Sequence, residues 1–140
     1  MKTSTFLLDT NILIPIEDAR PVPETYAKLL HDLQERGHKA LVHVASEDDL
    51  RRDSDAVRRT ISLSKLQRYP KVQRSWRQRA QLDAEFGPIK SDNDFCDCEL
   101  LAALADVVAD FLVTEDNDLH SRARAHGLDD KVCMFAKRLT

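Results

Sequence analysis

An α/β fold, with a parallel sheet flanked by helices, is the architecture that this sequence predicts. Short apolar runs of strand length are separated by longer runs with helical spacing, an order that builds parallel strands joined by helical crossovers. Gly37 and Gly127 stand where two of the helical runs must stop. Acidic residues recur beside the ends of these runs, at Asp9, Asp49, Asp94, Asp97, Asp116 and Asp118. An open parallel sheet gathers its ligands at the carboxyl ends of its strands, so acids at element ends mark a pocket. At 140 residues the chain is expected to form a single domain, 1–140, with a core that needs no staples.

Taken in order, residues 5–8 form a first strand that leads into Asp9, Thr10 and Asn11. Residues 12–14 continue it into a turn stopped by Pro15, and Pro21 and Pro23 bound a loop. Tyr26, Leu29, Leu30 and Leu33 give 24–36 the spacing of a helix that closes on Gly37. Residues 40–45 form the second strand, and Ser46, with Asp49 three residues on, is the expected cap of a helix over 47–53. Val57, Ile61, Leu63 and Leu66 suit a helix over 55–67, before the break at Pro70. A further helix is expected over 73–86, ended by Gly87-Pro88. Leu100, Leu101, Ala103, Leu104, Val107 and Val108 give 94–108 an apolar face to lay on the sheet. Residues 111–114 form a strand, 119–126 a helix closing at Gly127, and 132–135 the last strand.

Three cysteines, Cys96, Cys98 and Cys133, are odd in number and lack paired zinc or redox spacing, so reduced thiols in the cytoplasm are expected. The first strand begins so near Met1 that a signal sequence has no room, and no run reaches the length of a membrane span. Charge is divided unevenly. Residues 51–79 hold ten basic side chains against Asp53 and Asp55, with Tyr69 and Trp76 among them. Such a stretch tracks a phosphate backbone and stacks bases, or else forms a solvated face that offsets acid elsewhere. Residues 92–119 hold nine acids and no Lys or Arg. Like charges at that density raise one another's pKa unless some face outward and the rest share a cation.

Asp9 follows the first strand, and Glu115, Asp116 and Asp118 follow the strand at 111–114, so the two groups are expected to meet at one rim. Asp94 and Asp97, three apart at a helix start, share a face, as do Asp49 and Asp53, four apart. An all-oxygen pocket of this kind suits Mg²⁺ or Mn²⁺, and the chemistry it favours is metal-assisted phosphodiester hydrolysis. A cap or turn role competes for each lone Asp, and the helix after Asp118 is expected to claim Asp116 or Asp118. The five histidines show no ligand-like spacing.

Three segments, Phe6-Leu7-Leu8-Asp9-Thr10-Asn11, Asp97-Cys98-Glu99-Leu100-Leu101-Ala102-Ala103 and Phe111-Leu112-Val113-Thr114-Glu115-Asp116-Asn117-Asp118-Leu119, resemble the signature segments of PIN-domain nucleases. The resemblance covers nearly the whole chain. It implies a three-layer, Rossmann-like α/β/α sandwich and a Mg²⁺- or Mn²⁺-dependent ribonuclease that cuts single-stranded RNA with metal-activated water. It also implies metal-binding catalytic acids at Asp9, Asp97 and Asp116, with Asp118 in support and Asn11 and Thr114 orienting them; Asp94, on the same helix face as Asp97, is expected to stand just behind them. The family includes toxins of toxin–antitoxin pairs, so an antitoxin and a homodimer join RNA among the implied partners. One departure stands out: where many members carry a Glu on the helix after the second strand, this chain offers Asp49 or Asp53. The long basic segment also resembles PIN domains fused to other modules, notably an acetyltransferase domain.

On this reading Arg51, Arg52, Arg58 and Arg59 are the candidates to engage the RNA backbone. Two other readings compete. A PIN-like domain that binds RNA or a protein without cleaving would account for the altered second acid and the basic stretch. A phosphatase or receiver-like domain also places an Asp after its first strand, although a receiver's Lys near the last strand is missing.

Overall fold

The structure, a computed structural model, describes residues 3–9 and 24–133. Five strands form one parallel sheet: β1 (Thr5–Leu8), β2 (Lys39–His43), β3 (Lys71–Val72), β4 (Phe111–Val113) and β5 (Val132–Cys133), in the order β3-β2-β1-β4-β5. Six α-helices accompany them among the described residues: α1 (Glu24–Glu35), α2 (Val44–Arg51), α3 (Ala56–Leu66), α4 (Arg79–Phe86), α5 (Asp92–Ala105) and α6 (Asn117–Ala125). The α/β class is therefore as expected, and the helices flank the sheet as a three-layer sandwich. Among the described residues no helix is long and apolar enough to cross a membrane.

Alternation along the strands divides the core in two. Phe6, Leu8, Val42 and Val113 face Leu33 of α1, Leu50 of α2 and Leu66 of α3. Leu7 and Leu112 face the other way, onto Leu82 and Phe86 of α4, the body of α5, and Leu119 and Ala123 of α6. Residues 96–104 of α5 are buried without a break, so this helix is wrapped on all sides and is apolar nearly all round. Two of those buried residues, Asp97 and Glu99, are acids.

Strand order reverses between β1 and β4, the central pair, whose register sets Leu7 beside Leu112 and Leu8 beside Val113. This is the switch point at which open sheets bind ligands. The pair is latched at its far end as well. Asp110 Oδ2 accepts from the Thr5 N–H at 2.9 Å, and Thr5 Oγ1 accepts from the Asp110 N–H at 3.0 Å.

Several expected boundaries move, each for a local reason. The second helix starts at Val44 rather than 47, because His43 caps it: its Nδ1 accepts the Ala45 N–H at 2.9 Å, and Ser46 is a buried interior residue. Only Arg79–Phe86 of the expected 73–86 helix is helical, and at its start Gln81 Oε1 accepts the Gln78 N–H at 2.8 Å. Ahead of it lies β3, which was not expected; its two residues, directly after Pro70, are too few for alternation to reveal. Helix α5 runs over Asp92–Ala105, capped by Ser91, and stops before 108 in a Schellman turn. There Val108 N–H bonds the Ala103 carbonyl and Val107 N–H the Leu104 carbonyl, with Val107 at φ +58°. The expected run at 12–14, the loop at Pro15, Pro21 and Pro23, and positions 134–135 of the last strand lie outside the described residues.

Candidate active site

Asp9 leaves the carboxyl end of β1 with its N–H bonded to the Val113 carbonyl at 3.1 Å, which extends the β1–β4 ladder by one rung. That rung sets Asp9 beside Thr114, whose hydroxyl donates to Asp9 Oδ2 at 2.7 Å in a buried contact. The same hydroxyl oxygen accepts the Asp116 N–H at 3.0 Å. Asp116 then caps α6, its Oδ1 accepting from Asp118 N–H at 2.9 Å and Leu119 N–H at 3.4 Å. Thr114 thus spends its one proton on the first acid and a lone pair on the backbone of the second. The cap that the sequence assigned to either Asp116 or Asp118 belongs to Asp116, and Asp118 stands exposed in the first turn.

Asp97 comes from α5 and is only 7% exposed. Burial, with Asp9 and Asp116 nearby, pushes its pKa up from 3.8 to about 7; Arg122 pulls the other way. Asp49 belongs to the same neighbourhood. The Cys96 thiol is held far above its ordinary pKa, chiefly by burial and then by Asp9, Asp49 and Asp97. Thr114 thereby holds Asp9 and Asp116 together at the carboxyl ends of β1 and β4, with Asp97 close enough to feel both and Asp49 close enough to act on the same Cys96 thiol.

Asp94 serves the same region as a brace. Its Oδ1 accepts from Arg122 at 3.0 Å and its Oδ2 from the Lys90 N–H at 2.9 Å. Arg122 also donates to the carbonyls of Phe86 and Pro88, each at 3.0 Å, tying α6 to the turn before α5. At that turn a Cβ on Gly87 would run into the Asp83 carbonyl oxygen, which is why glycine occupies the position. Asp53 is employed elsewhere. It accepts from Arg58 Nε at 2.6 Å and Nη2 at 2.8 Å and from the Asp55 N–H at 3.0 Å, and Arg58 above all holds its pKa down at about 2. Between the two candidates for the second acid, Asp49 is the one that shares surroundings with Asp9 and Asp97. Asn11 lies outside the described residues.

No family model and no curated protein matches this chain. Its chemistry is read from the residues themselves.

Among the described residues no three His, Cys, Asp or Glu side chains already stand as a ligand set for one ion. The donors nevertheless fit a hard dication, since all are carboxylate oxygens. The four arginines expected at the RNA backbone are drawn into contacts within the chain. Arg51 meets Glu47 at 2.7 Å, Arg52 meets Asp49 at 3.0 Å, Arg58 meets Asp53, and Arg59 donates to the Asp53 carbonyl at 2.9 Å. The first three pairs are exposed enough for a phosphate to compete for their cations.

A second buried polar group escaped the sequence reading. His43, at the end of β2, and Glu99, on α5, are each 1% exposed, with Nε2 and Oε2 3.4 Å apart. Because His43 Nδ1 accepts from Ala45, the ring proton sits on Nε2 and points its positive end at the carboxylate, although the alignment is too poor for a hydrogen bond. Burial, with help from Arg74, lowers the His43 pKa to about 4, so the ring is neutral. Burial raises Glu99, and the Ser75 N–H at 3.0 Å draws it back. The available signal was alternation in β2: with Val42 on one face, Leu41 and His43 must lie on the other. Arg122 had no comparable signal, since its partners lie 24 to 36 residues away in sequence.

Proposed function

We propose that this chain is a Mg²⁺- or Mn²⁺-dependent endoribonuclease that hydrolyses phosphodiester bonds of single-stranded RNA. The observation that carries the reading is the gathering of Asp9, Asp97 and Asp116 about the β1–β4 switch point, with Asp97 raised to about 7 by burial and its acidic neighbours. The three segments that resemble PIN-domain nucleases supply the substrate class. Asp9, Asp97 and Asp116 would hold the cation, and Asp49 is the favoured completing acid. When bound, the cation activates water and offsets charge on the phosphate. The chain's own contribution is positional. Thr114 fixes the rotamer of Asp9 and the backbone of Asp116, while Arg122 fixes Asp94 and tempers the negative field at Asp97. An antitoxin or fused module, a second copy of the chain, and a cytoplasmic site of action belong to the same proposal.

The test is cleavage of end-labelled single-stranded RNA in Mn²⁺, with EDTA and Asp9→Asn as controls. Products are expected with Mn²⁺ alone. If Asp9→Asn, folded by circular dichroism, cuts at the wild-type rate, the reading fails.

One observation favours a second reading, a PIN-like domain that binds RNA or a protein without cleaving. Arg52 on Asp49, Arg122 on Asp94 and the Thr114 hydroxyl on Asp9 already balance part of the acidic charge from within. Such a module would shift RNA mobility equally in EDTA, with a steep dependence on salt.

A further inference from the structure

At the amino-terminal end of the sheet, on the side away from the acids, a cleft of about 450 Å³ opens between the end of α1, the start of β2 and the turn before β3. Leu33, Ala40 and Pro70 give it apolar walls, and Gln34, His38, Lys39, Arg68 and Tyr69 complete the lining. No acid lines it. Its volume lies within the roughly 300–1,000 Å³ of small-molecule sites.

What the lining presents is donors. His38 Nδ1 accepts the Ser4 N–H at 3.0 Å, which leaves the ring proton on Nε2, and the ring is set against Phe6 with centroids 5.5 Å apart. The carbonyls at the two neighbouring helix ends are already used: Leu33 O by His38 N–H, Gln34 O by Gly37 N–H, and Leu66 O by Tyr69 N–H. Lys39 and Arg68 are exposed, and neither has an acidic partner among the described residues. That sets them apart from Arg51, Arg52, Arg58, Lys71, Arg74 and Arg77, each of which meets a carboxylate. Two uncompensated cations beside flat rings and an apolar wall match a ligand that joins an anionic group to a planar body.

We propose that this cleft binds a nucleoside phosphate, with Lys39 and Arg68 holding the phosphate and His38 and Tyr69 flanking the base. The site is separate from the acidic one and does not depend on the ribonuclease reading. The ligand is either a free nucleotide or one unit of an RNA strand.

Titrating the ¹⁵N-labelled full chain with AMP, UMP, inorganic phosphate and a uridine decamer tests this in the absence of divalent metal. Expected are saturable amide shifts at residues 38–40 and at Arg68, Tyr69 and Lys71 with AMP or UMP. Affinity should fall by about tenfold or more in Lys39→Gln/Arg68→Gln and stay unchanged in Asp9→Asn. A decamer that binds more tightly than UMP at the same amides assigns the site to a strand; equal or weaker binding assigns it to the free nucleotide. Shifts confined to the acidic end, or full affinity in the folded double variant, overturn the proposal. So does inorganic phosphate binding as tightly as AMP, or a Glu-rich peptide displacing it.

Discussion

Helix α5 carries two buried acids two residues apart, and their fates differ. Asp97 points into a neighbourhood of other carboxylates, from Asp9 on β1 and Asp116 at the cap of α6. Glu99 points at the imidazole of His43 on β2 and receives the Ser75 N–H, with Arg74 and Arg77 acting on it as well. Both are shut away from water on the same side of the sheet, so burial alone does not distinguish them. Their neighbours do. A buried carboxylate given a donor and a cation becomes part of the frame, whereas one given more carboxylates is left to seek a charge from outside.

The largest effects should come from removing either member of this contrast. Under the nuclease proposal Asp97→Asn loses RNA cleavage by on the order of a thousandfold, while Glu99→Gln keeps it, as followed with labelled RNA in Mn²⁺. Stability should respond in the reverse order. Glu99→Ala strands His43 beside the vacated space and should cost about 3 kcal/mol in urea denaturation. Asp97→Asn should stabilise the metal-free protein by about 2 kcal/mol at pH 8, where the wild-type carboxylate must be charged. Saturating Mn²⁺, at about a hundred times its Kd, should add about 2.7 kcal/mol to the wild type and much less to Asp97→Asn; an unchanged melting temperature in the wild type would count against the metal.

Acid–base behaviour sharpens the contrast next. Between its ordinary 3.8 and about 7, folded Asp97 keeps a proton that the unfolded chain has released, so its contribution to stability falls as pH rises through that window. Glu99, also raised, adds to this fall. His43 has the opposite sign. Between about 4 and its ordinary 6.5 the unfolded chain binds a proton that the folded ring refuses, so stability climbs with pH. Urea midpoints measured across pH 4–8 should therefore vary little in the wild type, rise in Asp97→Asn and fall in His43→Gln. The smallest effect is expected at the solvent-screened pair of Arg58 with Asp53, where Arg58→Ala should leave the urea midpoint nearly unchanged.

What the sequence disclosed follows from how local each cause is. The ends of α1 and α6 were legible because Gly37 and Gly127 take φ +74° and +71° in Schellman turns. The same turn ends α5, but Val107 occupies the left-handed position, and a β-branched residue there gives no warning. The cap of α2 stayed hidden because the acceptor is an imidazole rather than a Ser, Thr, Asp or Asn side chain. Residues 73–78 are kept out of the helix by distant partners: Arg74 reaches Asp48, Ser75 reaches Glu99, and Arg77 reaches Asp106. Asp9 and Asp116 were legible as site residues because strand ends fix where they emerge. The choice between Asp49 and Asp53 was not, since it turns on where Arg58 goes.

The two latches on the central strand pair, Thr5 with Asp110 and Asp9 with Thr114, each join positions 105 residues apart in the chain. During synthesis β1 therefore waits at the middle of an unfinished sheet until Asp110 and Thr114 have emerged. Contacts of such long separation close late and slowly. Whatever chemistry the acids perform, a nascent chain that has not yet delivered Thr114 and Asp116 has not assembled the means to perform it.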